Sequence, residues 1–192
     1  MILIAKVINR SMEPTYKHND LLMVKSWNAR SFIQRQKILL IDLPHQYGGK
    51  SIKRLIGLPG ETVKIEDGSI YINGSTHEEA YLDDMPKTKG TEMMKCVVPL
   101  GHVFVLGDYR NYVHGVDSRM FGPLPLSNIK GIIIGNPLNM DGSSSSSTQS
   151  VKDTSNNIEK SINFDFGVLF VYKVRIFAGI YSSGFSNQNI KS

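Results

Sequence analysis

Residues 62–72 read Thr-Val-Lys-Ile-Glu-Asp-Gly-Ser-Ile-Tyr-Ile, and this stretch decides the fold class. Two short runs that alternate apolar and polar residues, as β-strands do, flank the turn sequence Glu66-Asp67-Gly68. Because Gly68 can adopt a positive φ at no steric cost, the segment predicts a tight β-hairpin.

Similar short runs rich in Ile, Val and Leu recur between turn signals along the first 135 residues. They are residues 2–8, 21–25, 38–43, 51–56, 62–65, 69–72, 102–106 and 130–134. Evenly spaced strands with little helical pattern between them predict a mainly β fold, built from folded antiparallel sheets or a barrel-like sheet.

The chain divides into three parts by composition. Residues 1–140 carry the strand pattern, and the polar stretch 74–100 is expected to be a segment inserted between strands. The Ser-rich run 141–163 predicts a flexible loop or linker, because it cannot bury a core. Residues 164–192 predict further strands, packed as an ordinary edge on the core or, with Lys173 and Arg175 on one face, lying against lipid headgroups.

Composition excludes several classes of function. The formal charge of +5 is spread over 192 residues without a polybasic arm, which argues against nucleic-acid binding. Cys96 is the single cysteine, so the chain has neither an internal disulfide nor a zinc ligand set, and we expect no metal and no cofactor. No run of 18 uninterrupted apolar residues is present, so no transmembrane helix is expected.

The first segment with chemical potential is residues 11–15, Ser-Met-Glu-Pro-Thr, directly after an apolar strand. A serine before a turn fixed by Pro14 is held rigidly while its hydroxyl stays accessible, which suits a nucleophile. A serine that merely forms the turn is the commoner reason for such a pattern.

The second segment is residues 51–61, Ser-Ile-Lys-Arg-Leu-Ile-Gly-Leu-Pro-Gly-Glu. The period of two places Lys53 and Leu55 on one face of a strand and Ile52 and Arg54 on the other. If the face of Lys53 is buried, desolvation lowers its pKa, and the neutral amine can act as a general base. The alternative is an ordinary surface lysine on an edge strand.

The third segment is Gly107-Asp108-Tyr109-Arg110, followed by Asp117-Ser118-Arg119. Two carboxylates and two arginines in one loop can form charge-assisted pairs that hold the loop rigid beside a site. An acid–base carboxylate couple is the alternative, but arginines so near keep carboxyl pKa values low, which favours a structural role.

In this order, the three segments resemble the motifs of the type I signal peptidase family, membrane-bound serine endopeptidases that release exported proteins from leader peptides. The family pattern Ser-Met-x-Pro-Thr matches residues 11–15, and Lys-Arg-x-x-Gly-x-Pro-Gly-Asp/Glu matches residues 53–61. Gly-Asp-x-Arg and Asp-Ser-Arg-x-x-Gly match residues 107–110 and 117–122. The resemblance covers residues 5–135 and implies the folded antiparallel sheets of that family's catalytic core.

The resemblance implies a role for each matched residue. Ser11 would be the nucleophile and Lys53 its general base, a dyad without histidine; His18 is the rival base nearest in sequence. The backbone N–H of Ser11 and the amide of Asn9 would stabilise the oxyanion. The structural loop residues would be Arg54, Asp108, Arg110, Asp117 and Arg119.

The resemblance also implies how a substrate binds. An extended peptide would add a strand beside residues 7–10 and beside the segment before Lys53. Val7, Ile8, Met12 and Ile52 would contact it, and small pockets would select an Ala-x-Ala sequence before the cleavage site.

Three features depart from the family pattern. The loop is two residues longer than usual, and the serine that orients the lysine in the family aligns with Gly115. Either His114 or Ser118 supplies that hydrogen bond, or the activity is weakened. Tyr109 stands where Asn is usual. The amino-terminal membrane anchor of the family is absent from this chain, which looks truncated.

The expected partners are preprotein signal peptides and the lipid surface, and we expect a monomer at the inner (plasma) membrane, with its catalytic domain on the outer or periplasmic face. Within the clan of Ser/Lys peptidases that includes this family, a conjugative-pilin maturation peptidase is an alternative. A self-cleaving repressor of that clan would need a DNA-binding domain, which is not visible in this sequence. The alternative of another class is an inactive relative that binds exported peptides or membrane without cutting them.

Overall fold

The computed structural model describes residues 1–28, 32–82, 88, 94–111 and 115–137, and the backbone of residues 170–173. β-Strands are the main secondary structure of the described chain and helices are few, as the sequence predicts. The predicted linker 141–163 lies outside the described residues, as does most of the segment 164–192.

Twelve strands occur among the described residues. They are β1 (Ile2–Lys6), β2 (Leu21–Ser26), β3 (Ile38–Asp42), β4 (Lys50–Gly57), β5 (Thr62–Glu66), β6 (Ser69–Ile72), β7 (Ser75–Thr76), β8 (Met94–Val97), β9 (His102–Leu106), β10 (Leu124–Pro125), β11 (Ile129–Gly135) and β12 (Phe170–Lys173). The helical pieces are short: α1 (Ser118–Phe121) and 3₁₀ turns at Ala80–Leu82 and Leu126–Asn128. None of these described helices is long or apolar enough to cross a bilayer.

The larger sheet has eight antiparallel strands in the order β10-β9-β4-β3-β11-β2-β1-β12. Strand β4 lies inside this sheet and changes partner along its length: β3 pairs with Lys50–Arg54, and β9 pairs with Arg54, Leu55 and Gly57. At the other edge, β12 pairs with Leu3–Lys6 of β1.

The smaller sheet has the order β7-β6-β5-β8 and is connected to the larger one between β4 and β9. It contains the hairpin predicted from residues 62–72, with φ of 50° at Asp67 and 77° at Gly68 in the turn. This sheet begins at Thr62, whereas the sequence placed the start of an inserted segment at residue 74. The difference arises because the strand 94–97 returns to pair with β5 and makes the predicted hairpin part of the same sheet.

Three apolar clusters form the core. The first joins β1, β2 and the turn after β1 to one face of β4, through residues such as Val7, Met12 and Ile52. The second packs around Leu55 and Val105, and the third lies between the two sheets around Ile56 and Phe104. Strand β4 contributes to all three clusters and is buried from Ser51 to Gly57. A polar side chain on this strand is therefore removed from water.

Candidate active site

Ser11 lies in a tight turn that follows β1. The turn is closed by backbone hydrogen bonds from Glu13 N to Arg10 O (3.0 Å) and from Tyr16 N to Met12 O (2.9 Å). The Met12 side chain is fully buried in the first core cluster, which anchors the turn on the sheet. Ser11 itself is 3% exposed, so its hydroxyl faces the interior of the site.

Lys53 of β4 brings an amine to this hydroxyl. Its Nζ lies 2.9 Å from Ser11 Oγ, although the two residues are 42 positions apart in the chain. Lys53 is 1% exposed, which excludes the alternative of an ordinary surface lysine. The sequence placed the two residues in one site, and the fold brings them into hydrogen-bond contact.

The environment of Lys53 lowers its pKa to about 8 from 10.5. Desolvation by burial is the largest cause, because it disfavours the charged ammonium. The carboxylates of Asp117 and Asp108 oppose this effect, and the positive charge of Arg119 adds to it. With a pKa of about 8, roughly a tenth of the lysine is neutral at pH 7, and half of it at pH 8.

Ser51 provides the second hydroxyl at the lysine. Its Oγ lies 2.9 Å from Lys53 Nζ, and the side chain is 6% exposed. The sequence analysis expected this hydrogen bond from His114 or Ser118. Ser118 Oγ instead accepts the backbone N–H of Val105 (2.9 Å), and His114 lies outside the described residues. The spacing of two residues along a strand, which places Ser51 on the face of Lys53, is the signal that would have found it.

Asn9 contacts the serine with its carbonyl oxygen. Asn9 Oδ1 accepts hydrogen bonds from Ser11 Oγ (2.9 Å) and from the backbone N–H of Ser11 (3.2 Å). The expected role of Asn9 was to donate to an oxyanion, and in this conformation it accepts instead. The backbone N–H that would bind the oxyanion is thus occupied by Asn9, and the carboxamide has to turn over before it can donate.

A buried ion pair supports both the serine turn and β4. Arg54 Nε donates to Asp108 Oδ1 (2.8 Å), a second nitrogen of the guanidinium donates to Asp108 Oδ2, and Thr15 Oγ1 donates to the same carboxylate. Arg54 and Asp108 are 7% and 0% exposed. The ring of Tyr81 covers the guanidinium, 3.7 Å from Arg54 Cζ to the ring centroid. This pair therefore ties three separate segments together next to the dyad.

The loop that follows β9 is held in place by Asp117. Asp117 accepts hydrogen bonds from Gly107 N (3.1 Å) and from Arg119 Nε (2.9 Å), and it caps α1. The backbone N–H of Tyr109 donates to Ser11 O (3.1 Å), so this loop touches the serine turn directly. Glycine is required at position 107, because a Cβ there would lie 2.6 Å from Ser11 O.

Arg110 extends this network toward the smaller sheet. Its fully buried side chain donates to Gly107 O (2.9 Å), forms an ion pair with Glu79 and donates to Thr88 Oγ1 (3.0 Å). The sequence analysis placed Arg110 in a rigid loop but missed Glu79 and Thr88. Nothing in the local sequence pattern links these two residues to position 110, because they lie 31 and 22 positions away and only the tertiary fold brings them there.

The residues expected to line substrate pockets are largely closed off from solvent. Val7, Met12 and Ile52 are 1%, 0% and 3% exposed and belong to the first core cluster, whereas Ile8 is half-buried. The turn after β1 packs Met12 and Ile52 inward in this conformation, and their contact with a substrate stays a prediction. The rival base His18 is exposed.

No group of three or more His, Cys, Asp or Glu side chains among the described residues is arranged to hold a metal ion. The polar groups around Ser11 are an amine, a carboxamide and a hydroxyl. These groups can activate a serine by proton transfer to nitrogen.

Comparison with known proteins gives consistent similarities. A family model described as signal peptidase, peptidase S26, matches residues 1–135. The chain is 38% identical over 141 residues to Signal peptidase I V of Bacillus subtilis (strain 168), a match that spans 67% of this chain and 81% of that protein. It is 33% identical over 135 residues to the chloroplastic thylakoidal processing peptidase 1 of Arabidopsis thaliana, spanning 63% of this chain but 37% of the plant protein. A crystal structure of a signal peptidase I from Enterococcus faecalis V583 superposes with a TM-score of 0.46 at 35% identity, over 53% of this chain and 97% of that one.

Proposed function

The chain belongs to the signal peptidase family, peptidase S26, and from this membership we propose that it is a serine endopeptidase that cleaves signal peptides from exported preproteins. Ser11 is the nucleophile and Lys53 the general base. The observation that carries these roles is the 2.9 Å contact between Ser11 Oγ and the buried Nζ of Lys53.

The chemistry follows from the protonation state of the lysine. Neutral Lys53 takes the proton of Ser11 as Oγ forms a bond to the carbonyl carbon of the scissile peptide. The resulting ammonium gives that proton to the leaving amine as the C–N bond breaks, which leaves an acyl-enzyme. Lys53, neutral again, then removes a proton from water as the water oxygen bonds to the ester carbon; the C–Oγ bond breaks, and the ammonium returns its proton to Ser11 Oγ. Since the amine must start neutral, the rate rises with pH through about pH 8.

Two backbone edges support binding of an extended peptide. Strand β9 pairs with β4 only as far as Arg54, and no strand of the described residues pairs with Lys50–Lys53 on that side. On the other side of Ser11, the N–H of Val7 donates a hydrogen bond to Asp20 O, and the C=O of Val7 accepts one from Asn19 N. Backbone groups alternate in direction along an extended chain, so those of Ile8 point to the opposite edge. A peptide between Ile8 and the free edge of β4 reaches Ser11.

We further propose a location and an assembly state. The family is membrane-associated, and export substrates are processed on the far side of the membrane, so the catalytic domain, assigned to residues 1–140, acts on the outer or periplasmic face of the plasma membrane. The dyad draws both of its residues from one chain, so a monomer suffices for catalysis.

The test is cleavage of a detergent-solubilised preprotein with an Ala-x-Ala site. We expect the wild type to cut at the leader junction, and Ser11→Ala and Lys53→Met to be inactive. Ser26→Ala and Lys25→Met remove a hydroxyl and an exposed lysine of β2, and serve as matched controls that retain activity. A folded wild type that binds the preprotein equally with or without Ser11, and never cuts it, would instead identify an inactive peptide-binding relative.

A further inference from the structure

The amine of Lys53 is held between two hydroxyls. Ser11 Oγ and Ser51 Oγ each lie 2.9 Å from Nζ, and both contacts are buried. Ser51 and Lys53 are alternate residues of β4, so the strand itself fixes the distance between their side chains. Ser51 pairs with Ile41 and Lys53 with Leu39 of β3, which holds this part of the backbone rigid.

A second hydrogen-bond partner can orient a neutral amine that acts as a base. It has two N–H donors and one lone pair, and only the lone pair can accept the proton of Ser11. Rotation about the last bond of the lysine side chain moves the lone pair away from the serine. When one N–H donates to Ser51 Oγ, that rotation is restricted, and one of the two remaining positions around Nζ places the lone pair toward Ser11 Oγ once the serine hydroxyl turns from Asn9 Oδ1 to the amine.

We propose that Ser51 is a positioning residue that orients the amine of Lys53 toward Ser11. This inference rests on the proposed peptidase function and adds to it the residue that directs its base. Ser51 acts through Lys53 and is not itself a reacting group.

The hydroxyl also has an electrostatic effect that distinguishes positioning from mere packing. The ammonium form of Lys53 donates a charge-assisted hydrogen bond to Ser51, which is stronger than the bond from the neutral amine. Removal of the hydroxyl therefore destabilises the charged form more than the neutral form and lowers the pKa of Lys53 further. In Ser51→Ala, Lys53 is therefore neutral at lower pH, and its lone pair is less well oriented toward Ser11 Oγ.

The experiment measures kcat against pH for the wild type, Ser51→Ala, Ser51→Thr and the control Ser26→Ala. For Ser51→Ala, we expect the plateau at high pH to fall about 10- to 100-fold, the scale of a misplaced reacting group, and the rise of the rate to move to lower pH. Ser51→Thr keeps the hydroxyl and recovers most of the plateau, and Ser26→Ala matches the wild type. A wild-type profile for Ser51→Ala overturns the proposal, as does a Ser51→Thr profile no better than that of Ser51→Ala.

A second readout separates this proposal from the proposed function. The ¹³Cε resonance of Lys53 in lysine-labelled protein, assigned by its loss in Lys53→Met, reports the protonation of the amine whether or not any peptide is cut. We expect its titration midpoint to fall in Ser51→Ala and to return toward the wild-type value in Ser51→Thr. An unchanged midpoint in Ser51→Ala overturns the role of Ser51, whereas an inactive wild type with the expected shifts overturns the peptidase function alone.

Discussion

Replacement of Lys53 by Met should change the stability of the protein in a way that reverses sign with pH. On folding, the pKa of the lysine falls from 10.5 to about 8. Since one pKa unit corresponds to about 1.4 kcal/mol, burial of the ammonium form costs about 3 kcal/mol at pH 7, where the lysine is charged in both states. This cost disappears as the pH rises from 8 to 10.5, because the unfolded chain then binds more protons than the native one.

Met has a similar length and volume but no charge and no donor. Lys53→Met therefore avoids the cost of burying a cation, and it loses the hydrogen bonds to Ser11 and Ser51, worth about 1 kcal/mol each. We expect the variant to be about 1 kcal/mol more stable than the wild type at pH 7 and about 2 kcal/mol less stable at pH 10.5.

Urea unfolding followed by circular dichroism at several pH values between 7 and 10.5 measures this effect, with Lys25→Met as the control for loss of an exposed lysine. Only the difference between variants is interpreted, because titration of the other lysines and tyrosines is common to all of them. Free energies of unfolding that stay parallel for wild type and Lys53→Met over this range would refute the reasoning. Lys53 would then have an ordinary pKa, and its role as a base at neutral pH would lose its physical support.

Three further predictions concern the groups around the dyad. Asn9→Ala should lower kcat about 100-fold if the carboxamide turns to stabilise the oxyanion, and Asn9→Ser should recover most of it; equal kcat values for Asn9→Ala and wild type would contradict this. Gly107→Ala should lower both kcat and Tm, because the new Cβ meets Ser11 O at 2.6 Å, and an unchanged Tm would show that the turn can move aside. Asp108→Asn should cost about 3 kcal/mol in urea unfolding, since it leaves a buried guanidinium unpaired, whereas Asp42→Asn, at a more exposed ion pair, should cost less than about 1 kcal/mol.

Most strands of the two sheets could be predicted from local patterns, and the strands that the sequence analysis missed show why the rest could not. The strands of the hairpin at residues 62–72 alternate apolar and polar residues, so the sequence alone indicates them. Strand β8, Met94–Val97, also alternates in burial, but it follows a long polar stretch and is fixed by its pairing with β5. Strand β10 has only two residues and is recognised as a strand only by its pairing with β9. Short strands of this kind are set by tertiary contacts and not by their own sequence.

The same distinction applies to the site. Ser11, Lys53, Arg54 and Asp108 are found from the sequence because they stand in motifs. The pairing of Asp108 with Arg54 was not predicted, because the sequence analysis paired the carboxylates with the arginines of their own loop. Ser51 precedes its motif by two residues, and although the strand period places it on the face of Lys53, its place in the site depends on that face being the one turned toward Ser11. A strand buried on both faces gives no alternation in its own sequence that would reveal this face.

The placement of Lys53 on β4 links its chemistry to the binding of a peptide. A lysine inside a sheet is desolvated, which lowers its pKa, but a strand paired on both sides has no edge left for a substrate. Strand β4 meets both needs because β9 pairs with it only up to Arg54 and then turns away at Gly107. Lys53 is the next residue along β4, so it is still covered by the core, while no strand of the described part of the chain pairs with its backbone on that side. An amine with a lowered pKa and a strand edge that no described strand occupies therefore coincide at one residue, and Gly107, where β9 leaves β4, lies close to Ser11.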